Sequence, residues 1–185
     1  MSKIDPKNGA AESTDAFARE KTAEMPMCAQ ASGAATDGRP TRSRRLFIYS
    51  HDTYGLGHIR RNLKIAGSVV SMDSGAAVLI ATGAPRCHAF HMPAGVDVLK
   101  LPTVIKRPDG GYSTRSLGIP VDDVLRLRAE TLRAAAKAYR PDVVLIDHAV
   151  VGVQGELKPL LDSIKALPTR PVVIYGMRDI VDEAE

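Results

Sequence analysis

The chain has 185 residues, enough for one domain with a full core, of which 44 % are apolar and 4 % aromatic, with no tryptophan. Its net charge of +4 is shared evenly between residues 1–45 and the rest, no Lys/Arg run exceeds two, and no aromatics interleave with the cations, so no nucleic-acid partner is expected. No apolar run approaches the ~20 residues a membrane span needs, and Asp5, Glu12, Asp15, Glu20 and Glu24 argue against a targeting leader, which leaves a cytoplasmic location as the expectation.

Residues 1–43 are small and polar without sustained periodicity, and read as a disordered tail. Leu46–Tyr49 is a short apolar run of strand type, and Ser50–Gly57 reads as a turn. A helical period begins at Ile59, with Leu63, Ala66 and Val70 on the same face. Ala76–Ala81 is a second buried strand ending at Thr82-Gly83, and Val96–Leu99 is a third. Lys106–Tyr112 follows as a loop whose Gly110-Gly111 pair beside two cations suits a flap over an anionic substrate, or a plain solvated loop. Pro120 opens a helix with Asp122 and Asp123 in its first turn and Leu125, Leu132, Ala136 and Tyr139 inside, and Pro141 ends it. Val143–Ile146 is a fourth strand ending in Asp147-His148. Glu156–Ala166 is a helix interrupted by Pro159, with Glu156 as its cap, and Pro171–Tyr175 is a fifth strand ending in Gly176-Met177-Arg178-Asp179.

Apolar strands without alternation, separated by helices, indicate a doubly wound, Rossmann-like parallel sheet in an α/β domain over residues 44–185. Ligands of such sheets bind beyond the carboxyl ends of the strands. His51 to His58, Asp147-His148 and Arg178-Asp179 all fall there, as expected for one cleft lined from several loops.

Gly55-Leu56-Gly57-His58-Ile59-Arg60 superficially matches a dinucleotide fingerprint, but Arg60 stands where the third glycine should permit close helix packing. No acidic residue closes the second strand, and no Gly-Lys-Ser/Thr follows, so neither that mode nor a Walker loop applies. What remains is Gly-x-Gly-His-x-x-Arg at Gly55, Gly57, His58 and Arg61. Glycines let a charged group approach the backbone, and a helix N-terminus holds it with free N–H groups. An imidazole at that end is suited to act as a general base, with a simple cap as the structural alternative. Arg61 suits phosphate or carboxylate binding. His51, Asp52 and Asp147 are further candidate ligand contacts, and Asp147 could equally cap the next segment. Cys28 and Cys87 match no metal spacing, and His88 and His91 bring no fourth ligand, so no metal and no cofactor is expected.

Ser50 through Leu63 resembles the first loop of bacterial predicted glycosyltransferases related to family 28. Lys106–Tyr112, Arg140-Pro141-Asp142, Asp147, Gly152–Leu157 and Gly176–Ile180 resemble that group too. The resemblance covers Leu46 to the end and implies a GT-B architecture, with the acceptor mainly on an N-terminal α/β domain and a nucleotide-sugar donor mainly on a C-terminal one. It implies that this chain is the N-terminal, acceptor-side half of a metal-independent hexosyltransferase, with the donor domain missing or separate. His58 would be the catalytic base, and His51, Asp52, Gly55, Gly57, Arg61, Asp147 and Arg178 would bind substrate. The partners are then a nucleotide-sugar and an acceptor, with a peripheral membrane contact left open. The two alternatives are a nucleotide-sugar hydrolase, which shares the glycine-histidine motif, and a non-catalytic α/β binding module.

Overall fold

The computed structural model describes residues 43–53 and 55–177; the tail expected over 1–43 lies outside them apart from Ser43, and so does Arg178. Among the described residues seven strands and three α-helices follow in the order β1 (Arg45–Ser50), α1 (Gly57–Met72), β2 (Ala77–Thr82), β3 (Val96–Lys100), β4 (Val104–Lys106), β5 (Tyr112–Thr114), α2 (Val121–Tyr139), β6 (Val143–Asp147), α3 (Lys158–Lys165) and β7 (Val172–Gly176). Five of these strands make one parallel sheet in the order β3-β2-β1-β6-β7. The α/β, Rossmann-like reading of the sequence therefore stands.

The central strand β1 shows why both faces are covered. Phe47 and Tyr49 point into a core shared with Leu132 and Ala136 of α2 and Leu160 and Ile164 of α3. Ile48 points the other way, onto Ile59 and Ala66 of α1 and Val78 and Ile80 of β2. Alternate side chains of one strand thus feed opposite cores. Each fully buried Phe, Leu, Ile or Val among them contributes about 1.5–3 kcal/mol.

The turn chemistry follows the sequence closely. Pro120 precedes α2, Asp122 and Asp123 occupy its first turn, and Arg140 closes it with a left-handed backbone (φ 50°). The third helix is shorter than its apolar pattern suggested, because Pro159 sits in its first turn and Val153–Gly155 forms a separate tight turn. One element was not expected. Lys106–Tyr112 is the tip of an antiparallel β4–β5 hairpin whose Val104 packs with Val124, Leu125 and Val153.

The order of the strands reverses between β1 and β6. From β1 the chain builds outward through β2 to β3, and from β6 it builds the opposite way to β7. A crevice opens at such a switch point, beyond the carboxyl ends of the two strands. Ser50 and Asp147 end those two strands.

Candidate functional site

The switch point brings His58 and Asp147 together across 89 positions of sequence. His58 enters because α1 starts immediately after the turn that follows β1, and Asp147 because it is the last residue of β6. The His58 Nδ1 lies 2.7 Å from Asp147 Oδ2, and both side chains are buried. Burial pushes the Asp147 carboxyl up, but the His58 hydrogen bond, the His58 charge, Asn62 and Arg61 outweigh it and hold it below the usual carboxylate range. Asp147 is therefore ionised and only accepts, so Nδ1–H donates to it and the ring presents Nε2 for other chemistry.

Two further residues of α1 fix the carboxylate. Asn62 Nδ2 donates to Asp147 Oδ2 at 3.0 Å and to Ser50 Oγ at 2.9 Å, and Arg61 Nη1 donates to Asp147 Oδ1 at 3.1 Å. Arg61 also donates to the Met177 carbonyl at 3.4 Å, passing over Gly176, where a Cβ would stand 3.3 Å from its Nη2. His58, Arg61 and Asn62 reach one acceptor because i, i+3 and i+4 share a helix face.

Three imidazoles meet here. The rings of His51, His58 and His148 lie 5.6–5.9 Å apart, centroid to centroid. His51 is buried and its Nδ1 has no hydrogen-bond partner; Asn62 Oδ1 is the other buried side-chain atom without one among the described residues. Burial, with the His58 and His148 charges added, lowers the His51 pKa to about 4. His148 is presented by a left-handed backbone (φ 69°) on a stretch that also holds Gly152, Gln154 and Gly155 at positive φ. Among the described residues no group of three His, Cys, Asp or Glu is arranged to hold a metal ion.

Asp52, expected as a ligand contact, also makes bonds within the protein. Its Oδ1 accepts the Ile59 N–H at 3.1 Å, capping the start of α1, and its Oδ2 accepts the Thr82 hydroxyl at 2.5 Å. Burial raises its pKa, partly offset by the bonds from Thr82, Ser50 and Ile59. Gly55 needs its glycine for backbone geometry (φ +73°), and a Cβ at Gly55 or Gly57 would meet nothing within 4 Å, so the backbone there faces open space. Arg178 lies outside the described residues.

A second buried polar group lies behind the site. Arg128 Nε and Nη2 clasp Glu156 at 2.6 and 2.7 Å, and Tyr49 Oη donates to Glu156 Oε1 at 2.6 Å. Glu156 therefore does not cap α3 as the sequence suggested. Burial alone would lower the Arg128 pKa, but Glu156 reverses the direction, and burial with Glu156 raises Tyr49 well above its usual range. Gly152 is packed against the same group, since a Cβ there would stand 2.9 Å from Leu157 and 3.1 Å from Tyr49 Oη. The sequence reading missed Arg128, although it interrupts the apolar stripe of Leu125, Leu132 and Ala136 on α2, and a charge on an inward face signals a buried partner. It also missed Asn62, one residue past the motif.

No family model, curated protein or solved structure matches the chain. The site therefore rests on its geometry. Among the described residues, no helix is long and apolar enough to cross a membrane.

Proposed function

We propose that residues 44–185 form the acceptor-side domain of a GT-B glycosyltransferase, which moves a hexose from a nucleotide-sugar to an acceptor hydroxyl. The His58–Asp147 pair at the switch point carries this reading. The carboxylate fixes the ring and stabilises the imidazolium that forms, while Nε2 takes the proton of the attacking hydroxyl. The start of α1, with Arg61 whose charge is shared with Asp147, supplies a positive end beside that hydroxyl, where a diphosphate leaving group needs it. The nucleotide itself would be held by a second α/β unit.

The same dyad could activate water, so nucleotide-sugar hydrolysis is the second reading. The test is nucleotide release from UDP-, GDP- and dTDP-sugars by the full-length polypeptide, with and without alcohol acceptors. Release that rises with acceptor, and falls roughly 10²–10⁴-fold in His58→Ala, supports the transferase. Full-rate release without acceptor assigns the hydrolase. Release unaffected by His58→Ala removes both readings of the dyad, and no release with or without acceptor leaves a binding module.

A further inference from the structure

Asp52, Thr53, Gly55 and Leu56 have a second side. Away from the histidines they line a cleft of about 370 Å³, whose walls include none of His51, His58, Asp147 or His148. Leu56, Pro85, Val104 and Ile105 make its apolar part. Two exposed arginines converge on it from separate loops, Arg86 after β2 and Arg115 after β5. Neither has a carboxylate partner among the described residues.

The cleft is held open by the protein's own bonds. The Thr103 hydroxyl donates to the Gly83 carbonyl at 2.8 Å, tying the loop after β3 to the loop after β2. Lys100 Nζ reinforces the tie, donating to Gly83, to Thr103 Oγ1 and to the Leu101 carbonyl. Arg128 Nη1 donates to the Pro102 carbonyl at 2.6 Å, and the Arg115 N–H donates to the Thr103 carbonyl at 3.2 Å. A preformed concavity of this size is usual for a small-molecule site.

Its chemistry narrows the ligand. Among the described residues Asp52 is the only carboxylate in the walls, and both its oxygens are already engaged by Ile59 and Thr82. The Thr103 hydroxyl is engaged as well, so little remains to bind a neutral polar ring. What is left is the Thr53 hydroxyl and an apolar surface between two guanidinium groups, which pair well with carboxylate and phosphate.

We infer that this cleft binds an anionic molecule with an apolar body, its carboxylate or phosphate ester held by Arg86 and Arg115 and its body on Leu56 and Ile105. Its role as the acceptor's pocket rests on the transferase reading, because His58 is not among its walls; the binding itself does not.

The test is calorimetric titration of the full chain with hexyl phosphate, hexanoate, hexanol and inorganic phosphate. Hexyl phosphate or hexanoate should bind, and whichever is tighter identifies the head group. Binding should weaken roughly tenfold or more in the Arg86→Ala/Arg115→Ala double variant, whose exposed positions leave the fold intact by circular dichroism. Ile105→Gln should weaken hexyl phosphate but not inorganic phosphate. Equal binding of hexanol overturns the role of the arginines, equal binding of inorganic phosphate overturns that of the apolar wall, and no binding of either hexyl anion overturns the site. Absent binding with His58-dependent nucleotide release intact removes the cleft alone. Intact binding with release indifferent to His58 removes the transferase reading alone.

Discussion

Two buried carboxylates, Asp147 and Glu156, lie on either side of the short loop that follows β6, and each holds an arginine. Around Glu156 the side chains are matched completely: Arg128 takes both its oxygens, Tyr49 donates to one of them, and the tyrosine oxygen also accepts the Val153 N–H at 3.2 Å. Around Asp147 the matching is incomplete, leaving His51 Nδ1 and Asn62 Oδ1 unpartnered and His58 Nε2 turned to other uses. A fully satisfied buried group stabilises a fold, whereas leftover donors and acceptors beside a crevice are where a ligand can act. The difference separates a structural pair from a chemical one.

The sharpest way to break this contrast is Arg128→Ala. It leaves Glu156 as an uncompensated buried charge and should lower stability by about 3–5 kcal/mol, measured by urea denaturation at neutral pH. A loss no larger than that of an exposed arginine such as Arg126 would erase the distinction.

A smaller effect should appear at the histidine corner. His51 has an ordinary pKa of 6.5 and a folded value of about 4, so the unfolded chain takes up its proton first as the solution acidifies. Its contribution is fully present above about pH 6.5 and declines as pH falls toward 4, by roughly 2 kcal/mol between pH 7 and pH 5. His51→Gln should flatten that part of the stability profile, and an unchanged slope would show that the ring is not held neutral by its surroundings.

The smallest expected change tests where Asp52 belongs. Thr82→Val deprives a buried carboxylate of one donor and should cost about 1.5 kcal/mol of stability. Its effect on nucleotide release should be slight, since neither Thr82 nor Asp52 touches the His58–Asp147 pair. A large loss of release with unchanged stability would move Asp52 from the structural side to the chemical one.

The five sheet strands were legible as short, mainly apolar runs beside Gly, Pro or charge, although Asp97 interrupts β3 and Val172, Ile174 and Tyr175 of the edge strand β7 stay exposed. The β4–β5 hairpin was not, because its strands are three residues each and its tip, Pro108-Asp109-Gly110-Gly111, reads as loop. His58 and Asp147 were each visible as polar residues ending a strand or opening a helix. Their direct bond was not, since it depends on which two strands lie side by side, and here β6 joins β1 after 92 intervening residues. Glu156 misled for a related reason. Local sequence showed a helix start, while its true partner lay on α2, 28 positions away.

The backbone at residue 148 has a consequence for how this protein could be altered. A left-handed φ of 69° suits glycine better than any side chain with a Cβ. Sequence design aimed at folding alone would therefore write glycine there, and would remove one corner of the imidazole triangle while appearing to improve the protein.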